Sequence, residues 1–496
     1  MRYQNPIITG FYPDPSICKA NGKYYLVCSS FQYFPGVPLF ESEDLINWKQ
    51  IGHVLTRESQ LPLLEAGSRG GIYAPTIRYN DGRFYMITTN VSGCGNFFVW
   101  TDDIYGEWSE PVFVDRDGID PSLYFEDGKV YFTSNKWTFD GVIHIRQFEI
   151  NGETGEKLSE DINIWDGTGG RYLEAPHMYK IGEYYYLLAA EGGTEYGHMI
   201  VCARSKSPYG PFEGSPYNPI ITNRNKGDYI LQGCGHGDLI CDYSGNWWIV
   251  HLGFRQLDVR TPYHHLGREV CLVPVTFDEK GWFVAGDNGS TSLLVETDRI
   301  PDSVVQKKQM VYTFANTDVK NEWCFYRNPD MSNYELSEEG FILKGTKADL
   351  DEPEISPTFI GIRQKEMKAE VKVQVKLNEG EGGLTVLMDG DNHWDIALVK
   401  DDSGYKAIKR RSIGDMKYIE KEVKINSDTA WLKLKATNHE YFFSIEVDGK
   451  EYDFGTALTR YLSSEIAGGF TGVMLGLYAV DGVAEFKDFE CTYMEA

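Results

Sequence analysis

Five times in this chain a tight turn carrying a glycine runs straight into a strand rich in aromatic or β-branched residues. The turns read Gly22-Lys-Tyr-Tyr, Gly82-Arg-Phe-Tyr, Gly128-Lys-Val-Tyr, Gly182-Glu-Tyr-Tyr and Gly245-Asn-Trp-Trp. Successive glycines stand 60, 46, 54 and 63 residues apart. A unit of that length holds about four short strands, the content of one propeller blade, whereas solenoid repeats are shorter and more even. The spacing therefore predicts a five-bladed β-propeller over residues 1–300. In such a fold the innermost strands line a central channel, and equivalent positions near their starts form a ring. The residues eight positions before the glycines are Asp14, Ala74, Asp120, Glu174 and Gly237. Three of these five carry a carboxyl group, so residues far apart in sequence are expected to meet at the axis.

Helical periodicity is scarce throughout. Beyond a polar stretch, Ile300-Pro-Asp-Ser-Val-Val-Gln-Lys-Lys308, the texture changes to Lys- and Glu-rich segments with period-two alternation, among them Ala369-Glu-Val-Lys-Val-Gln-Val-Lys376 and Trp431-Leu-Lys-Leu-Lys-Ala436. Alternation over many segments without helix predicts an antiparallel β-sandwich over residues 308–496. The chain is all-β in two domains, as 496 residues require more than one ordinary core.

Net charge is −25, which disfavours nucleic acid and anionic membranes, since both bind through basic patches. The aromatic fraction of 14% suits pleated strands and also sugar faces. Nine cysteines without regular spacing and without a C-x-x-C pair read as reduced thiols. With no signal-like start and no apolar run approaching the ~18 residues of a membrane span, the expectation is a cytoplasmic protein.

Asp-Pro is also an ordinary turn starter, so Asp14 and Asp120 taken singly have a structural reading. Taken with Glu174 they supply what glycosidic hydrolysis needs, a protonated carboxyl to donate to the leaving oxygen and an ionised one to activate water. A third acidic group can hold the acid's pKa up. No phosphate loop, H-E-x-x-H or G-x-S-x-G is present, and Cys234, His236 and Cys241 match no common zinc spacing. His236 is expected to hydrogen-bond the carboxylates or help hold a hydrated cation, and Arg268 to offset their charge. Ala74 and Gly237, uncharged, are expected to leave room for a sugar. A carbohydrate-binding propeller without catalysis is the rival from another class. It predicts a lost carboxylate, and all three are present.

At these residues the chain resembles glycoside hydrolase family 43, in its longer β-xylosidase/α-L-arabinofuranosidase members. The matching stretches are Asn5-Pro-Ile-Ile-Thr-Gly-Phe-Tyr-Pro-Asp-Pro-Ser16, Ser29-Ser-Phe-Gln-Tyr-Phe-Pro-Gly-Val-Pro38, Ala74-Pro-Thr76, Ile119-Asp-Pro-Ser122, Glu174-Ala-Pro-His177, Gly235-His-Gly-Asp238 and Leu266-Gly-Arg-Glu269. The second domain is similar to the concanavalin-like C-terminal sandwich of those members. The resemblance implies Asp14 as general base, Glu174 as general acid and Asp120 as the residue tuning Glu174, with inversion at the anomeric centre. It implies sugar contacts from Phe31, Tyr73 (where many members have Trp), Thr194, His236, Arg268 and Phe470, the last reaching over from the sandwich. It requires no cofactor for the chemistry but allows a water-coordinated calcium beside His236. The partner implied is a small oligosaccharide losing one terminal sugar at a time, xylose, arabinofuranose or both. Longer members are often dimers or tetramers, so a homo-oligomer is compatible.

Overall fold

A computed structural model describes residues 1–138, 141–353 and 355–494. Five four-stranded antiparallel sheets make the first domain, each laid down from the inside outward. The innermost strands are Ser16–Ala20, Thr76–Asn80, Ser122–Glu126, Glu174–Ile181 and Leu231–Cys241, for blades 1 to 5 in order. Both faces of every blade are covered by a neighbour, so the second strands are apolar almost throughout instead of alternating. In Trp247–Arg255, Trp248 and Val250 pack into the core shared with blade 1, while Ile249 packs into the core shared with blade 4. The start of the chain closes the ring against blade 5. Ile8 bridges Val270, the Asn5 side chain both donates to and accepts from the backbone of Leu272, and Arg2–Gln4 pairs with Leu294–Glu296.

The glycine turns are of two kinds, and the difference moves the ring. In blades 1 to 3 both turn residues are left-handed, Asn21-Gly22, Asp81-Gly82 and Asp127-Gly128. This is the type I′ geometry, with glycine second. Blade 4 turns on Gly182-Glu183 with Gly182 alone left-handed at φ 59°, as a type II′ turn requires, so glycine stands first. Counting back from glycine therefore misplaces blade 4 by one residue. Ile181 pairs with Tyr184 as Ala20 pairs with Lys23, which makes Ala175, not Glu174, the counterpart of Asp14. Blade 5 closes through a longer loop, and there the left-handed ring residue is His236 at φ 45°. Gly237 faces away, where an added Cβ would press on Ile200 and Ile249 in the apolar core. Room for a sugar is therefore not what Gly237 provides.

The second domain is two packed antiparallel sheets. Ala369–Leu377 shows the expected period of two, with Val371, Val373 and Val375 buried and Glu370, Lys372 and Lys376 exposed. One sheet accepts a strand from the propeller: Tyr33–Phe34 pairs antiparallel with Cys324–Tyr326. Phe11, Phe31 and Tyr33 accordingly share an apolar cluster with Tyr326, Phe359, Met474 and Tyr478 of the sandwich. All nine cysteines are unbonded. Among the described residues no helix is long and apolar enough to cross a membrane.

Candidate active site

A cavity of about 280 Å³ opens at the propeller axis. Its walls bring together all nine residues singled out in the sequence: Asp14, Asp120, Glu174, Phe31, Tyr73, Thr194, His236, Arg268 and Phe470.

Local backbone geometry aims the acids. Asp14 and Asp120 hold left-handed φ of 56° and 52°, each followed by proline and then by the first residue of an inner strand. Such a conformation costs of order 1 kcal/mol for a non-glycine residue and persists only where its surroundings enforce it. Glu174 reaches the cavity by another route. The strand pairing of Glu174–Ile181 slips between Glu174 and His177, with Ala175 left-handed at 54°, so a bulge swings Glu174 into the channel one residue ahead of the ring position.

The three carboxyl groups sit in different fields. Burial alone would raise Asp14, but Arg268, His236 and a hydrogen bond from Ser29 together hold it below its ordinary value. Arg268 Nη1 donates to Asp14 Oδ1 at 2.8 Å, Ser29 Oγ donates to Oδ2 at 2.5 Å, and His236 Nδ1 lies 3.6 Å from Oδ1. Glu174 is pushed up to about 7, first by burial and then by the charge of Asp14, against the pull of Arg268. Burial, Glu174 and Asp14 drive Asp120 well above the carboxylate range, and its one offsetting hydrogen bond comes from Ala175 N–H at 3.2 Å. Glu174 is the first charge raising Asp120, so the titrations of the two groups are linked.

Arg268 also donates to Thr194 Oγ1 at 2.8 Å and to the Phe470 carbonyl at 3.2 Å. Phe31 and Phe470 stack with centroids 5.8 Å apart, Tyr73 lies 5.3 Å from Phe31, and the Arg268 guanidinium sits 5.7 Å from the Phe31 centroid. This is an apolar wall with one cation held behind it.

Beneath the cavity the channel is plugged by an ionic network. Arg78 donates from both terminal nitrogens to Asp238 (2.7 and 3.2 Å) and from Nη2 to His177 Nδ1 at 2.8 Å. Ser16 Oγ donates to Asp238 Oδ2 at 2.6 Å, and the Tyr179 hydroxyl donates to Oδ1. Four blades are tied together here by one carboxylate.

Sequence reasoning missed His198, Tyr172, Glu195 and Ile119, which also line the cavity. His198 is buried and its pKa is pushed down to about 3 by that burial and by His236 and Arg268 nearby. Its only local sign is glycine at 235, where a Cβ would overlap the imidazole. As for a cation, among the described residues no three His, Cys, Asp or Glu side chains assemble into a metal-binding group. The described residues around His236 therefore do not make a protein-only calcium cage.

Carboxyl groups driven to opposite protonation, an arginine and aromatic walls on a propeller axis define a carbohydrate hydrolase. The family model for glycosyl hydrolases family 43 matches residues 3–283, and that for the β-xylosidase C-terminal concanavalin A-like domain matches residues 311–492. The non-reducing end α-L-arabinofuranosidase BoGH43B of Bacteroides ovatus is 41% identical over 493 residues, covering 96% of this chain and 91% of the relative. A xylosidase/arabinosidase of Butyrivibrio fibrisolvens is 37% identical, with 99% and 98% covered. The solved structure of Bacteroides ovatus xyloglucan PUL GH43B superposes with a TM-score of 0.92 at 38% identity, over 100% of both chains. The chain belongs to glycosyl hydrolase family 43 and is a glycosidase.

Proposed function

We propose that the protein is an inverting exo-hydrolase that removes terminal β-D-xylose, α-L-arabinofuranose or both from small oligosaccharides inside the cell. One observation carries the reading: within one cavity Asp14 is held ionised while Glu174 is held protonated up to about 7. Glu174 then donates its proton to the glycosidic oxygen as that bond breaks. Asp14 takes a proton from the water that attacks the anomeric carbon from the opposite face. Burial and the charge of Asp14 raise the cost of ionising Glu174, and Asp120, whose own carboxyl is raised by Glu174, is the neighbour that orients it. Arg268 holds Asp14 in its charged form and, with Thr194, faces the sugar hydroxyls. Unbonded thiols support the intracellular setting. The relatives' names support the sugar pair, and a small aromatic-walled cavity supports release of one residue at a time.

Assay of the nitrophenyl β-D-xylopyranoside and α-L-arabinofuranoside, with anomeric NMR of the released sugar, tests this. Turnover of at least one substrate with initial appearance of the inverted anomer is expected. No turnover of either refutes the substrate class, and a retained anomer refutes the role of Asp14 as base.

A further inference from the structure

The sandwich segment 459–473 carries Phe470 over the cavity, and Phe470 itself is tied to the propeller through its carbonyl and ring. What fixes the segment lies five residues earlier. Glu465, in the short helix Ser464–Ala467, reaches across to two propeller loops at once. Its Oε1 lies 2.7 Å from His264 Nδ1, and its Oε2 accepts from the His264 backbone N–H at 3.1 Å. Tyr196 Oη lies 3.0 Å from Oε1 and 2.6 Å from the Pro262 carbonyl. Phe254 is clasped between these partners, stacked on the His264 ring at 3.8 Å and edge-on to Tyr196 at 5.1 Å.

The two loops that Glu465 joins are the ones that deliver the sugar-facing groups. Tyr196 stands two residues beyond Thr194, and His264 four residues before Arg268. The segment then returns along the same loop: Val473 N–H donates to the His265 carbonyl at 2.9 Å, and a Cβ at Gly472 would overlap the Leu266 carbonyl. Bidentate use of one carboxylate fixes orientation as well as distance. Phe470, Thr194 and Arg268 come from three separate loops, and Glu465 touches or carries all three.

We infer that Glu465 is a positioning residue which sets Phe470 against Arg268 and Thr194 and so shapes the wall that binds the terminal sugar. The inference rests on the exo-hydrolase reading for its kinetic arm only. Glu465 is not among the residues lining the cavity, and it lies outside the Asp14–Glu174 pair; the Arg268–Asp14 bond does not pass through it, so its main effect falls on ground-state binding.

The test compares Glu465→Ala, Glu465→Gln and Phe470→Ala, singly and with Glu465→Ala combined with Phe470→Ala, on the nitrophenyl glycoside that the wild type turns over. Amide exchange across 463–473 is followed without substrate. Glu465→Ala is expected to raise KM about tenfold with kcat changed less than about twofold, as loss of uniform binding does. Glu465→Gln, which keeps an acceptor oxygen, recovers most of KM. In the Phe470→Ala background the same Glu465→Ala change adds less than about twofold, because coupled residues are non-additive. Exchange quickens over 466–472 and not in the blades. Multiplying KM effects, or unchanged exchange over 466–472, overturns the proposal. If the wild type hydrolyses neither glycoside while exchange quickens in Glu465→Ala, the positioning role stands and the functional reading falls.

Discussion

Asp14 and Asp120 occupy the same left-handed backbone position in blades 1 and 3, yet their carboxyl groups are driven in opposite directions. Arg268 makes the difference. Its Nη1 lies 2.8 Å from Asp14, whereas Asp120 receives a backbone N–H at 3.2 Å and faces Glu174. One fold position thus holds two carboxyl groups pushed in opposite directions, and divergent environments of this kind are how a site assigns different roles to its carboxyl groups.

Glu174→Gln keeps the shape of the bulge and removes the proton donor. Turnover of substrates with poor leaving groups is expected to fall by about 10³-fold, within the range of general acid catalysis, with activated aryl glycosides affected far less. Steady-state kinetics on a disaccharide and a dinitrophenyl glycoside check this.

The pH profile of kcat/KM should be bell-shaped. Its alkaline limb reports loss of the Glu174 proton, with a midpoint near the value of about 7 to which that group is pushed. Its acid limb lies below the ordinary carboxylate range, because Asp14 is held low. Arg268→Gln removes the main force lowering Asp14 and also the pull that lowers Glu174, so both limbs should move up in pH and the bell shift as a whole, with KM rising as the contacts to Thr194 and Phe470 are lost.

Asp238→Asn strands the buried guanidinium of Arg78, and breaking one side of such a pair costs about 3–5 kcal/mol. The folded-state pKa of Asp238 is depressed, by Arg78 and His177 against the opposing effect of burial. The stabilisation is therefore complete above the unfolded carboxylate value and is lost as pH falls below it. Denaturant melts between pH 3 and 7 should show the wild type losing stability on acidification more steeply than Asp238→Asn.

Gly235→Ala places a methyl group in the His198 ring. Overpacking of this kind costs about 1–3 kcal/mol, and His198 lines the cavity, so a lower Tm and a higher KM should appear together. An unchanged KM with a lower Tm would show that His198 does not touch the sugar.

Much of this was legible in the sequence because type I′ turns carry their own signature. Asn21-Gly22, Asp81-Gly82 and Asp127-Gly128 announce hairpins, and the spacing between them announces blades. Register was the weak point. A glycine marks a turn without telling which turn position it fills, so Glu174 and Gly237 were each assigned one residue away from the ring positions held by Ala175 and His236. Glu174 still arrives in the cavity, through a bulge that no local pattern reveals. Tyr172 and His198 were invisible for a different reason: they enter from loops, where neither spacing nor composition distinguishes a wall from a solvent-facing turn. Glu465 sits in a segment whose partners lie about 200 residues away, at His264, and 269 residues away, at Tyr196.

The strand Tyr33–Phe34, lent by the propeller to the sandwich, has a practical consequence for anyone recombining these enzymes. Phe31, in the catalytic wall, is only two residues upstream, and Phe31 and Tyr33 are packed in one cluster with Tyr326, Met474 and Tyr478. A chimera that swaps the C-terminal domain at the linker would split this matched surface and disturb the sugar site from behind. The functional cut does not follow the chain: residues 31–34 travel with the sandwich, and a transplant that respects this should carry them along.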